Sequence, residues 1–252
     1  MKLKQTFKYN FFESFKPFLI ACGLLAFLQI MPLFFMPWEK PGTVMSSGGF
    51  DFSILIVALV MAISTVNEGL PMMLQNGISR RTLYVSKLSW TVVFSVLYTV
   101  ASMVISLIAM GLFSILGYGD SYIIETVFTQ LYCPNNPALS FANLHICLSL
   151  FFVATLFVVA LGTFIGLLSN RLGKYGKVAI FAGIPCAFFI VLPIIDITFF
   201  NEQLMYRIFK FIADVFGVFT GQYLNGVGCF AVLFVVFAVA TYFVMRKMPL
   251  KK

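Results

Sequence analysis

Apolar residues run along this chain in six blocks, separated by short stretches that hold most of the charge. The blocks are 17–37, 52–74, 88–116, 144–168, 178–200 and 227–245. They are apolar on all faces. A helix rises about 1.5 Å per residue, so each block can cross about 30 Å of hydrocarbon. Strands of a membrane barrel would alternate over about 10 residues, and these blocks do not. Backbone groups inside a bilayer must be paired within the protein, which leaves helices. The pattern predicts an all-α membrane protein with six transmembrane helices.

The stretches between the blocks carry weaker periodicities. In residues 1–16 and just beyond, Phe7, Phe11, Phe15 and Phe18 recur at helical spacing, with Lys4 and Lys8 off that stripe. This predicts a cytoplasmic interfacial amphipathic helix on an anionic leaflet. A secretory signal is the rival, but the next block is too long for one and lacks a small-x-small cleavage site, so a retained anchor is expected. Residues 117–143 contain CPNNP at 133–137 and predict a short helix and then a tight turn. In 201–226, Leu204, Ile208, Phe211, Ile212, Val215 and Phe219 form one stripe, and Gln203, Arg207, Lys210 and Asp214 the opposite one. That predicts a short outer helix before the last span, either at the interface or folding partly back into the bundle. Gly69 and Pro71 bend or end the second block, and Pro185 and Pro193 interrupt the fifth. Gly162 and Gly166 in the fourth allow close helix contact, more readily within one subunit than across a dimer.

Composition agrees. The chain is 61% hydrophobic and 10% charged, against about 25% charged in a soluble protein. A net charge of +8 invites nucleic acid, but the charges punctuate the blocks instead of forming a soluble face. Lys2, Lys4, Lys8, Lys16, Arg80, Arg81, Lys87, Arg171, Lys174, Lys177, Arg246, Lys247, Lys251 and Lys252 fall on one side, 14 of the 17 basic residues. Lys40, Arg207 and Lys210 fall on the other. Cytoplasmic loops collect Lys and Arg, so both termini are predicted cytoplasmic, with 246–252 a basic tail, and no nucleic-acid partner is expected.

Candidate chemistry is sparse. His145 is the single histidine, and no His, Cys and carboxylate spacing suits a metal. Cys133 and Cys229 fall on the outer side, where a bridge and two free thiols both remain open. No enzyme signature is present. The nearest approach to a phosphate-binding loop, GLLSNRLGKY at 166–175, has the wrong Gly to Gly-Lys spacing and ends in Tyr175 where a hydroxyl should hold magnesium. The chain is therefore expected to bind no cofactor of its own. Glu68 stands near the inner end of the second block and fits either the headgroup layer or a bracing partner such as Arg80 or Arg81. Gly77 permits a sharp turn, and Ser79 is an N-cap for a short helix through Lys87. Arg80 and Arg81 then fall in a first turn, where the helix dipole disfavours cations. Plain cytoplasmic placement and a functional contact both account for them.

Six spans, cytoplasmic termini and an interfacial first helix resemble the ABC-2 type permeases, the transmembrane subunits of ABC transporters. So does an acidic residue ahead of a G-[IV]-S-R-x-T loop, here Glu68 followed by Gly77, Ile78, Ser79, Arg80, Arg81 and Thr82, with Lys87 beyond. The resemblance implies a homodimer or heterodimer of permeases in the bacterial cytoplasmic membrane. It implies two copies of a separate ABC ATPase that would use ATP and Mg. The loop around Gly77–Tyr84 would couple to that ATPase, with Arg171, Lys174 and Lys177 a second, smaller contact. Short permeases of this type resemble exporters of amphipathic or antimicrobial peptides, including phenol-soluble-modulin exporters, which would make the substrate a hydrophobic or amphipathic peptide. Two rival classes are a stand-alone secondary transporter or channel, with Glu68 and Asp196 as its ionisable residues, and a membrane protein that sequesters peptides without moving them.

Overall fold

A computed structural model describes residues 2–34, 45–46, 48–118, 122–172, 174–178, 182–200 and 203–246. The expectations placed on Lys40 and on most of the basic tail lie outside them. The chain is almost all helix: α1 (Lys2–Ile30), α2 (Phe52–Gln75), α3 (Arg80–Ile115), α4 (Val127–Tyr132), α5 (Leu144–Arg171), α6 (Lys174–Val178), α7 (Ile184–Cys186), α8 (Leu192–Phe200), α9 (Gln203–Phe216) and α10 (Tyr223–Arg246). A two-residue parallel ladder joins β1 (Met45–Ser46) to β2 (Tyr122–Ile123). Among the described residues five helices, namely α1, α2, α3, α5 and α10, are long and apolar enough to cross a membrane, as expected of a multi-pass helical membrane protein.

Helix α3 packs against α1, α5, α10 and α2 and is polar inside and apolar outside. Its buried face carries Ser86, Thr91, Ser95, Thr99, Ser102 and Ser106 beside Trp90, Phe94 and Tyr98. Its exposed face is a ladder of Val85, Val92, Val96, Val100, Val104 and Ile108. In water this arrangement would be upside down. In lipid it is the stable one, because hydrocarbon solvates valine as well as a protein core does, while Ser86, Thr91, Thr99 and Ser106 find hydrogen-bond partners inside.

Thr91 and Thr99 bond to carbonyls of α3 itself, and the partners from elsewhere come mainly from α1, which lies parallel to α3. Asn10 Nδ2 donates to Ser86 Oγ at 3.2 Å, Trp90 Nε1 donates to Ser14 Oγ at 3.1 Å, and Gln29 Nε2 donates to Ser106 Oγ at 2.8 Å. Aromatic contacts run beside this polar seam, with Phe18 edge-on to Tyr98 and Phe11 against Phe94. On the other flank α5 lies against α2. A Cβ built on Gly162 would stand 2.7 Å from Ala62 Cβ and 2.8 Å from the Leu59 carbonyl oxygen; one on Gly166 would stand 3.0 Å from Val66 Cβ. The two glycines thus bring two backbones together within this one chain.

Helix directions follow from these pairings. Helices α5 and α10 run parallel, with Phe157 against Phe230 and Phe164 against Phe237. Arg80 at the start of α3 meets Arg246 at the end of α10. One end of the bundle therefore gathers the starts of α1 and α3 and the ends of α2, α5 and α10; this is the basic end. Because α5 finishes there and α10 begins at the other, residues 172–222 have to travel back along the bundle.

The opposite end is closed by short elements. Thr126 caps α4 through a reciprocal bond with Thr129, and Asn136 N–H turns back to the Cys133 carbonyl. Asp51, buried just before α2, accepts the Val127 N–H at 3.2 Å. Burial pushes its carboxyl up to about 6, against the pull of that N–H. Asp196 is also buried and accepts the N–H groups of Leu204 and Met205 at 2.8 and 2.9 Å, capping the start of α9.

Three expectations change. Residues 1–16 are not a separate interfacial helix, because α1 runs unbroken through Pro17. The helix begun at Ser79 does not stop at Lys87 before a new span at 88; α3 is continuous over 36 residues, about 54 Å, so it outreaches the hydrocarbon. The stripe on α9 is not folded into the bundle, since Phe211, Ile212, Val215 and Phe219 are exposed. The expected fifth span, 178–200, is described in pieces: the end of α6, then 182–183, α7, a π-helical turn at Ala187–Val191, and α8. All five cysteines are free, so Cys133 and Cys229 do not pair.

Replacing Gly162 with Ala is expected to cost about 1–3 kcal/mol through overpacking. Gly111→Ala, where a Cβ meets nothing within 4 Å, should be neutral or stabilising. Thermal unfolding in detergent checks both; equal melting temperatures would remove the close seam between α2 and α5.

Candidate functional site

The turn between α2 and α3 is built from residues that end one helix and start the next. Asn76 and Gly77 close α2 by donating to the Met72 and Leu74 carbonyls, and Gly77 has φ +69°, a conformation that side chains resist. Ser79 then caps α3: it is extended, and its Oγ accepts the Thr82 N–H at 3.2 Å. Ile78 and Tyr84 pack on an apolar plug of Val66, Leu70, Met73, Leu83, Leu167 and Met245. That plug draws on α2, α3, α5 and α10, so the turn stands on all four.

The charged residues divide. Arg80 donates to the carbonyl oxygen of Arg246 at 2.6 Å, capping the end of α10. The α3 dipole disfavours a cation there, but the α10 dipole and its orphan carbonyls favour one. Tyr84 adds a second tie, donating to the Ala238 carbonyl at 3.2 Å and meeting the Tyr242 ring edge-on. Arg81, by contrast, is exposed, and Thr82 is half-buried. Arg80, Arg81, Tyr84 and Arg246 line a cleft of about 200 Å³.

Lys87 belongs elsewhere. It is 4% exposed, so in this conformation it does not belong to the surface that a soluble partner could meet. Its Nζ lies 4.7 Å from the centre of the Trp90 ring, and the Glu13 carboxylate on α1 attracts it. Glu13 also faces Gly69 of α2. A buried cation and a half-buried carboxylate are thus neighbours near the basic end, beside Asn10, Ser14 and Ser86. Hydropathy alone gave no sign of this group; the signal was the four-residue spacing of Thr6, Asn10 and Ser14 inside an otherwise greasy helix.

Glu68 lies on α2 two turns before its end; its side chain is outside the described residues, as is that of Lys174. Arg171 is exposed in the last turn of α5, and Lys177 is exposed on α6. They share the basic end with Arg81 but stand on a different element. Nearby, Asn170 Nδ2 donates to the Val66 carbonyl at 3.3 Å, which ties the end of α5 to α2. Asp196, the other ionisable candidate, is occupied in capping α9. Among the described residues no group of three or more His, Cys, Asp or Glu side chains could hold a metal ion.

No protein-family model, curated protein or solved structure matches this chain.

Lys87→Met should destabilise the fold by roughly 1–3 kcal/mol, because it leaves the half-buried Glu13 carboxylate without the cation that it attracts. Adding Glu13→Gln should recover much of that loss. Unfolding of the two variants in detergent measures the coupling; a double variant less stable than Lys87→Met alone would show that the two charges do not support one another.

Proposed function

We propose that this chain is the membrane-spanning subunit of an ATP-driven exporter of the ABC-2 permease kind, moving hydrophobic or amphipathic peptides. On this reading it crosses the bacterial cytoplasmic membrane six times with both termini inside. The missing crossing is 178–200: a chain that leaves the end of α5 and rejoins at the start of parallel α10 has to return through the same thickness. Its π-helical turn and Pro193 make it the least regular of the six, and such breaks allow a helix to bend.

The observation that carries the proposal is the placement of Arg81. It projects from a Ser79-capped helix end that stands on a plug shared by α2, α3, α5 and α10. A soluble ATPase gripping that end would move four helices at once. Arg80 serves the same purpose from inside by holding α10 to α3. Two ATPase copies acting on two permease copies, alike or related, would rock the paired bundles and open a path between them. ATP and Mg stay with the ATPase. Arg171 and Lys177, displayed at the same end, supply a smaller contact.

One observation favours a second reading. Buried Lys87 and half-buried Glu13 are the sort of charges beside membrane helices that an ion-coupled transporter uses. The two readings separate on the exposed side chain. Arg81→Glu is expected to leave folding intact and to cut ATPase activity recovered with the purified protein to about a tenth or less, since reversing one charge at a docked interface costs several kcal/mol. Arg80→Glu is less clean, because it also uncaps α10. Undiminished ATPase recovery with Arg81→Glu, or transport in ATP-free vesicles driven by a proton gradient, would overturn the proposal.

A further inference from the structure

At the end of the bundle away from Arg80, α9 stands off α4 and α10 and leaves a groove of about 400 Å³ between them, well within the size range of small-molecule sites. Phe128, Tyr132, Phe209, Phe216 and Phe230 wall it, and Lys210 stands at its edge. The groove is preformed. Asp196 fixes the start of α9 through the Leu204 and Met205 N–H groups, and the Tyr132 hydroxyl fixes its end by donating to the Phe216 carbonyl at 2.8 Å.

Two facts identify what fits. Described basic residues gather at the other end of the molecule; the exceptions are Arg207 and Lys210, on successive turns of α9. Cations are depleted from this side of a membrane protein, so Lys210, kept in the lining of an apolar groove, calls for an anion. Asp214, a turn further on, does not line the groove. The remaining apolar face of α9 is also exposed and places the helix in the boundary layer of the bilayer.

We propose that this groove binds one acyl chain of an anionic lipid, whose phosphate rests on Lys210. The site differs from ordinary lipid contact along Val92, Val96, Val100, Val104 and Ile108 of α3, an exposed apolar ladder with no cation among them. It requires only that the chain sits in a membrane, and it stands whether or not an ATPase drives the protein.

The test uses the purified full chain in mixed micelles with a phosphatidylglycerol that carries a photoreactive group in its acyl chain. Crosslinks are expected in α4, α9 and α10 peptides. Unlabelled phosphatidylglycerol should displace the probe about tenfold better than phosphatidylcholine, as one charge-assisted contact predicts. Lys210→Gln should erase that preference without altering the melting temperature, and Ala213→Trp, which fills the groove, should abolish the crosslinks. Labelling spread equally over the α3 valine face with no headgroup preference would overturn the proposal. So would displacement by an amphipathic peptide but not by phosphatidylglycerol, which would make the groove a peptide site.

Discussion

Hydrocarbon rewards no helix for burying its apolar face, and the rest of this structure depends on that constraint. What holds the bundle is whatever lipid cannot supply: hydrogen-bond partners and close backbone contact. Helix α3 shows the consequence, with valines turned to the lipid and hydroxyls turned inward. Asn10, Ser14 and Gln29 on α1 dock onto its hydroxyl and indole face, and Gly162 and Gly166 let α5 sit almost backbone to backbone on α2. Each contact is worth little alone, of order 1 kcal/mol for a hydrogen bond between membrane helices. Together they fix which helices are neighbours and in what direction they run.

The same seams assemble the basic end. Holding α1 parallel to α3, and α2 parallel to α5, brings the lysine- and arginine-bearing ends to one face. There the turn after α2 rests on a shared apolar plug, and Arg80 and Tyr84 tie α3 to α10. Such an end is mechanically coupled to most of the bundle. Arg81 offers it to the surroundings, whereas Lys87, six residues further along the chain, is buried beside half-buried Glu13 and contributes to holding α1 in place.

Much of this was legible in the sequence. Long apolar blocks announced helices, and the Asn76–Gly77 and Ser79–Thr82 patterns announced a helix end followed by a capped start, because local chemistry decides both. The Gly162 and Gly166 pair announced a close contact, though not its partner. Other features depended on tertiary structure. A stripe of phenylalanines on α1 looked like an interfacial face because hydrophobicity in a membrane protein does not distinguish lipid from a neighbouring helix; the polar residues between them marked the packed face. The apolar stripe of α9 left the outer interface and the bundle equally open for the same reason. Arg80 looked misplaced at the start of α3 until α10 supplied the carbonyl that it caps, a contact 166 residues away in sequence. The burial of Lys87 likewise needed α1, which a local reading cannot bring to it.

The most direct measurement is sidedness. In a variant with the five native cysteines replaced, single cysteines at Asn76 and at Thr220 place one thiol on the turn after α2 and one beside the end of α9, both exposed. A membrane-impermeant maleimide should label the Thr220 position in intact cells and the Asn76 position only once the membrane is opened. Labelling of both from one side, or of Asn76 from outside, would contradict the account.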